Sequence, residues 1–283
     1  MSIETTSAGG GAALPSALDD AFARQVTDTV TAAGELALAM FRAGLKTWTK
    51  GNDSPVTDAD MAVDAFLRER LTALDPAIGW LSEESVDGPE RLAARRLWVV
   101  DPIDGTRAFM AAGADWAVSV ALVEDGRPVA AVLFAPASGE LFTAVAGAGA
   151  LHNGRPLAIA PRTRLDGARV AGPAADLDAI ARTAPIERLP RIRSLALRLA
   201  RVATGEIDVA FSGANSNDWD LAAADLIVEE ARGLLTTRDG ARLRYNAPVP
   251  RHASLVCAGA PLHAEALGAL KAEVFLKAKL DTP

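Results

Sequence analysis

The 283-residue chain has a single cysteine, Cys257, so no disulfide forms within it, and the apolar run around it (ASLVCAGA) is that of a small buried hydrophobe. Histidine is nearly as scarce. His152, His252 and His263 lie far along the chain from its acidic motifs, which speaks against a zinc centre. No run of Lys or Arg stands out and the formal net charge is -7, which argues against nucleic acid or an anionic membrane as partner. A small anionic substrate stays open, because a bound metal reverses the local field. No apolar run is long enough to span a bilayer. The opening stretch, Glu4 followed by SAGGGAALP, carries neither a basic n-region nor an apolar h-region. The expectation is a cytoplasmic protein with residues 1–14 disordered. Internal repeats and long linkers are absent as well, so the chain reads as closely packed halves.

What is present is the composition of an ordinary globular protein, 50% apolar and 23% charged, in a chain long enough for one large domain or two modest ones. The spacing of Leu18, Phe22, Val26, Val30, Ala33, Ala37, Met40 and Phe41 predicts a helix that Ser16 caps. The turn-rich KTWTKGNDSPVT predicts a polar loop, and a second helix follows with Val63, Phe66, Leu67 and Leu71 on one face. IGWLS reads as a short strand ending at Glu83-Glu84, and RLWVV as a strand ending at Asp101. A β meander then runs through WAVSVALV, PVAAVLFAP, GELFTAVAG and LHNGRPLAIA, with turns at Glu124–Arg127 and Asn153-Gly154. From about Arg162 strands and helices alternate. The division is an α+β half over 15–161 and an α/β half over 162–283, with a site where acids from the two meet.

Those acids stand at the ends of apolar segments: Asp60 (VTDAD), Glu83 and Glu84 (WLSEES), Asp101 and Asp104 (DPIDGT), and Asp220 (NDWDLAAA). Pro102 restricts Asp101 to an extended backbone, and Gly105 permits a positive φ or a close approach. Such a turn aims both carboxylates, and the Ile103 carbonyl between them, at one point. Two aspartates that close repel unless one is protonated or a cation lies between them. Hard oxygen donors select Mg²⁺, with Mn²⁺ as a substitute. Gly105 and Thr106 offer backbone N–H groups at a strand-to-helix transition, where an anion fits. Each element also has a plainer reading. Asp-Pro-x-Asp-Gly is common turn chemistry, Thr57-x-x-Asp60 fits a capping box, Glu83-Glu84 fits a solvated pair, Asp220 fits a first-turn helix acid, and Trp219 fits a core aromatic.

Taken together and in order, KGNDSPVTDAD, WLSEES, WVVDPIDGT and DWDLAAADLIVEEARG resemble the inositol monophosphatase superfamily of magnesium-dependent, lithium-sensitive phosphatases, over residues 20 to 275. The resemblance implies a layered αβαβα sandwich and hydrolysis of a small phosphorylated metabolite. It implies that Glu83, Asp101 and the Ile103 carbonyl hold a first Mg²⁺, that Asp101, Asp104 and Asp220 hold a second, and that a third, weaker ion sits near Glu83. Two such ions, roughly 4 Å apart, clamp the attacking and leaving oxygens of an in-line displacement. Thr106, paired with Asp60, orients and activates the attacking water beside Glu83. The N–H groups of Gly105 and Thr106 grip the phosphate, Lys50 lies on a mobile loop over the site, and Glu84 supports the ligands from behind. A homodimer follows from the same resemblance.

The chain departs from the pattern where substrate is read. Inositol-preferring members carry a glutamate seven residues before the Trp-Asp aspartate, and here that position is Gly213, followed by the polar run Asn215-Ser216-Asn217-Asp218. Arg193 stands where a glycine often precedes the serine of SLALR. KGNDSPVTDAD and DGTRAF look more like the bisphosphate nucleotidase and histidinol-phosphatase branches. An inositol-type sugar phosphate, 3'-phosphoadenosine 5'-phosphate and histidinol phosphate therefore all stay open as substrates. Two readings of other classes stand beside the enzyme: a regulatory partner-binding protein and a sugar-binding module without hydrolysis.

Overall fold

In the computed structural model the described residues are 20–43, 47–50, 54–159 and 161–280, the side chains of 47–50, 54–55 and 272–280 excepted. The expected cap at Ser16 and the disorder of residues 1–14 lie outside them. Helix α1 (Asp20–Ala43) buries Val26, Val30, Ala33 and Ala37. The stretch expected as a polar loop instead contributes β1 (Thr47–Lys50) and β2 (Ser54–Thr57), paired antiparallel. Turn formers dominate its middle, but Thr, Trp and Val supply enough β propensity on either side. Thr57 then caps α2 (Asp58–Leu74) in a full capping box with Asp60.

A seven-stranded sheet comes next: β3 (Gly79–Ser82), β4 (Arg96–Asp104), β5 (Ala117–Glu124), β6 (Arg127–Ala135), β7 (Glu140–Val145), β8 (Gly149–His152) and β9 (Arg155–Pro156), in that spatial order. β3 and β4 are parallel and the rest antiparallel, the expected meander. Asp125-Gly126 and Asn153-Gly154 make its turns, all four residues at positive φ. β4 runs three residues beyond its expected end at Asp101. Between them sits the short α3 (Thr106–Met110), at the end of β4.

The remaining chain builds a second sheet in the order β11-β10-β12-β16-β14, from β10 (Ala168–Ala171), β11 (Ile186–Arg188), β12 (Val209–Ser212), β14 (Gly233–Thr237) and β16 (Leu255–Gly259). The helices are α4 (Ala174–Ala181), α5 (Leu195–Ala203), α6 (Asp218–Glu230) and α7 (Ala260–Leu280). A two-stranded pair, β13 (Ser216–Asn217) with β15 (Arg251–His252), was not visible in the sequence.

Alternation along the strands shows the layering. Leu97 and Val99 of β4 join a central core with α5 and α6, while Trp98 and Val100 join the core under α1 and α2. In the second sheet Ala210 and Cys257 face the central core, and Val209, Phe211, Val256 and Ala258 face α4 and α7. The order is helices, sheet, helices, sheet, helices: the αβαβα sandwich. Both faces of each sheet are covered, which is why the central strands read as nearly unbroken apolar runs. Gly34 lets α1 lie close on the sheet, since a Cβ there would stand 2.3 Å from the Phe134 ring. Helix α6, wedged in the middle layer, brings its N-terminus to the end of β4.

Candidate metal centre

The site forms where β4 breaks its register. Asp101 faces Ser119 and Asp104 faces Ala117, so three steps on β4 oppose two on β5. This bulge re-aims the chain. Pro102 is at its centre, and the Ile103 amide turns back to donate to Asp101 Oδ1 at 3.0 Å. Gly105 follows at φ 94 and opens α3. A side chain there is unfavourable twice over: the φ is left-handed, and a Cβ would lie 2.6 Å from the Asp115 carbonyl oxygen.

Asp101, Asp104 and Asp220 each bring a carboxylate oxygen to one place, these atoms lying within 4.8 Å of one another. Asp101 and Asp104 are buried. Asp220 comes from the first turn of α6, where it also accepts the Asn217 amide at 2.6 Å. The first-turn role and the site position are thus held by one carboxylate. Glu83 follows β3, its amide bonded to the Val100 carbonyl at 3.2 Å, beside the bulge.

Thr106 Oγ1 donates to the Ile103 carbonyl at 3.1 Å and stands 3.5 Å from Asp60 Oδ1. Asp60 Oδ2 accepts from Thr57, from its amide at 2.7 Å and from its hydroxyl at 2.6 Å. Asp60 is therefore both the capping residue and the neighbour of Thr106. The Glu84 amide donates to Ser82 Oγ at 3.2 Å. The Lys50 side chain lies outside the described residues.

The acids raise one another. Burial pushes Glu83 up to about 8, with Asp220, Glu84, Asp104 and Asp60 adding to it. Burial holds Asp101 well above the usual carboxylate range, reinforced by Glu83, Asp104 and Asp220. Asp220 is pushed to about 7, by burial and then by Asp104. Burial also raises Asp104, but Ser194 Oγ and the Ala196 and Leu195 amides donate to it at 2.6, 2.6 and 3.2 Å and pull it back. An all-oxygen cluster of mutually repelling acids fits a hard divalent cation as counter-charge.

Several residues around the cluster were not singled out by sequence. Ser194 caps α5 and bonds Asp104. Asp64 accepts from Ser82 and Ser85, one on each side of Glu83-Glu84, at 2.5 and 3.0 Å. His252 was set apart from the motifs by its distance along the chain, yet its Nε2 lies 2.7 Å from Asp218 Oδ1, two residues from Asp220. The β13–β15 pairing brings it there. A serine before an apolar helical run is the readable signal for Ser194; the other two pairings have none.

The chain as a whole is similar to known proteins. Residues 19–274 match the model of the inositol monophosphatase family. A histidinol-phosphatase of Mycobacterium tuberculosis is 36% identical over 255 residues, covering 85% of this chain and 94% of that protein. The 3'(2'),5'-bisphosphate nucleotidase CysQ of Aggregatibacter actinomycetemcomitans is 33% identical over 234 residues, covering 79% and 87%. Among solved structures, the extragenic suppressor protein suhB of Bartonella henselae superposes with a TM-score of 0.77 at 28% identity, over 89% of this chain and 99% of that one.

Proposed function

This chain belongs to the inositol monophosphatase family, and on that premise we propose that it is a Mg²⁺-dependent phosphomonoesterase acting on a small phosphorylated metabolite. The observation that carries the reading is the meeting of Asp101, Asp104 and Asp220 within 4.8 Å, with Glu83 raised beside them. Glu83, Asp101, the Ile103 carbonyl, Asp104 and Asp220 would hold two to three Mg²⁺ ions, with Mn²⁺ as a substitute. When bound, such ions supply Lewis-acid stabilisation of phosphoryl charge and lower the pKa of water towards neutrality.

The chain's own groups do the rest. Asp60 is fixed by its two bonds from Thr57 and presents its other oxygen 3.5 Å from the Thr106 hydroxyl, which donates to the Ile103 carbonyl at 3.1 Å. Thr106, oriented between Asp60 and the Ile103 carbonyl, positions the attacking water beside Glu83. Gly105 and Thr106 present the backbone N–H groups that grip the phosphate, and Glu84 supports Glu83 from behind. Lys50, the last residue of β1 and paired with Ser54, would belong to the loop that closes over the site. No histidine base is needed.

The substrate we favour is an inositol-type sugar phosphate, with a bisphosphate nucleotide or histidinol phosphate as the second reading. The second is favoured by open space at Gly213, where a Cβ meets nothing within 4 Å, and by exposed Arg107, Arg191 and Arg193 on segments adjoining Gly105 and Ser194. Lithium sensitivity, a homodimer and a cytoplasmic location follow the family's pattern; no described helix is long and apolar enough to cross a membrane. Phosphate release from inositol phosphate, 3'-phosphoadenosine 5'-phosphate and histidinol phosphate, with and without Mg²⁺ and Li⁺, tests the reading. Mg²⁺-dependent turnover of at least one substrate, inhibited by Li⁺, supports it. No release from any of them in Mg²⁺ sinks it.

A further inference from the structure

Glu83 and Asp220 come to the cluster from segments more than a hundred residues apart in the chain. Behind them runs a continuous polar connection that includes none of the acids assigned to the metal. It begins at Arg91, in the short 3-10 turn Pro89–Ala93 that follows the Glu83-Glu84 segment. Arg91 is buried and grips Asp87 with two nitrogens, at 2.5 and 2.9 Å. Its Nη1 reaches forward to Asn246 Oδ1 at 2.7 Å and to the Ala247 carbonyl at 3.0 Å. Asn246 answers from Nδ2 to the Arg91 carbonyl at 3.0 Å. This reciprocal pair joins two segments over a separation of 155 residues.

Asn246 sits at φ 64, and its amide donates to Asp218 Oδ2 at 2.8 Å. His252 Nε2 lies 2.7 Å from the other oxygen of the same carboxylate. Asp218 is the first residue of α6, and its own amide donates to the Pro250 carbonyl at 3.0 Å. Both oxygens and the amide of Asp218 are therefore tied to the segment 246–252, which Arg91 ties in turn to Asp87, four residues along the chain from Glu83. Two residues on, Asp220 projects into the cluster from the same helical turn.

A surface loop needs no such arrangement. Arg91 and Asp218 are fully enclosed, at 5% and 1% exposure, where an unmatched charge is costly. Arg91 is matched by Asp87 and by groups of the segment 246–248, and Asp218 by Asn246 and His252 of the same stretch, so 246–252 is the piece that both hold. If the connection is cut, α6 and the Glu83 segment are free to drift by fractions of an ångström, and cation affinity depends on donor spacing at that scale.

We propose that Arg91, Asn246, Asp218 and His252 form a positioning strap that sets the spacing between the Glu83 and Asp220 sides of the metal centre and so sets its affinity for divalent cations. The strap touches neither substrate nor cation. This inference rests on the metal-dependent reading above and adds these four residues to it.

The test is Mg²⁺ binding by titration calorimetry, with steady-state kinetics across Mg²⁺ concentration, on the full chain and on Asp218→Asn, His252→Ala, His252→Gln and Arg91→Met. Asp218→Asn is isosteric and keeps an acceptor, so it serves as the folded reference if the Arg91 variant does not fold. His252→Ala and Asp218→Asn are expected to weaken Mg²⁺ binding about tenfold, the usual cost of disturbing groups behind a metal ligand. Their kcat at saturating Mg²⁺ should stay within about twofold of the parent. His252→Gln, which restores a donor to Asp218, should recover most of the affinity. Folded Asp218→Asn and His252→Ala proteins that bind Mg²⁺ as the parent does would overturn the strap. A parent protein that binds no Mg²⁺ would instead overturn the metal reading itself, so the two failures are told apart.

Discussion

Ser194 Oγ donates to Asp104 Oδ2 at 2.6 Å, joining the second half of the chain to the bulge of β4 over a separation of 90 residues. The same oxygen accepts the Ala196 amide at 2.6 Å, and Ser194 Oγ accepts the Leu197 amide at 3.0 Å. One side chain therefore caps α5 and fixes a proposed cation ligand.

Ser194→Ala removes both roles. The lost cap is worth about 1 kcal/mol, and the lost bond to a buried carboxylate about 1.5–3 kcal/mol. Urea unfolding should report a loss of about 2.5–4 kcal/mol in total, and half-saturation by Mg²⁺ should move to higher concentration. A stability within error of wild type would show that Ser194 is not holding Asp104.

Asp101→Asn should have opposite effects on activity and on metal-free stability. Phosphate release should fall by about 10²- to 10³-fold or more. In EDTA at pH 8 the variant should melt above wild type, because burial and the neighbouring acids raise Asp101 and so oppose the ionised form that the unfolded chain favours at that pH. Added Mg²⁺ should raise its melting temperature less than it raises that of wild type. Wild-type turnover in this variant contradicts the metal assignment.

Stability without metal should fall as pH rises. Glu83 and Asp220 are acids raised to about 8 and about 7 in the fold, from 4.5 and 3.8. The native state therefore holds protons that the unfolded chain has released, and unfolding becomes easier as pH climbs from about 4 through these values. Melting curves in EDTA from pH 5.5 to 9 should show this decline, and saturating Mg²⁺ should flatten it. A flat EDTA profile would mean the acids are not crowded as described.

Asp225 offers a parallel case away from the cluster. It is buried in α6, accepts from Tyr245 Oη at 3.0 Å and is pushed to about 6 by burial, despite Arg127 at 3.6 Å. Being raised from 3.8, it costs stability increasingly as pH climbs from about 4, and the cost is complete once pH exceeds about 6. Asp225→Asn keeps the acceptor for Tyr245 and should stabilise the protein by about 2–3 kcal/mol at pH 8 and by less at pH 5. Chemical denaturation at the two pH values measures the difference; a variant equally destabilised at both would show that the charge is needed.

How much of this could be read in the sequence follows from range. The capping box at Thr57 and Asp60, the strand RLWVV running into Asp101, and the Pro102–Gly105 turn are local features with local signals. All three were legible. The β1–β2 hairpin was hidden by its turn formers. β11, β13 and β15 have two or three residues each, too few for a period to show. The acids themselves were nameable because each ends an apolar run. The groups that hold them in place (Ser194 at Asp104, His252 and Asn246 at Asp218) pair over tens of residues. Strand order alone decides those meetings.

The most direct measurement is an anomalous difference map from crystals grown or soaked with Mn²⁺. The expected result is strong density among the carboxylates of Asp101, Asp104 and Asp220, within ligand distance of the Ile103 carbonyl, and further density towards Glu83. Fully occupied Mn²⁺ sites elsewhere on the molecule, with nothing between these three aspartates, would contradict the reading of this chain as a metal-dependent phosphatase.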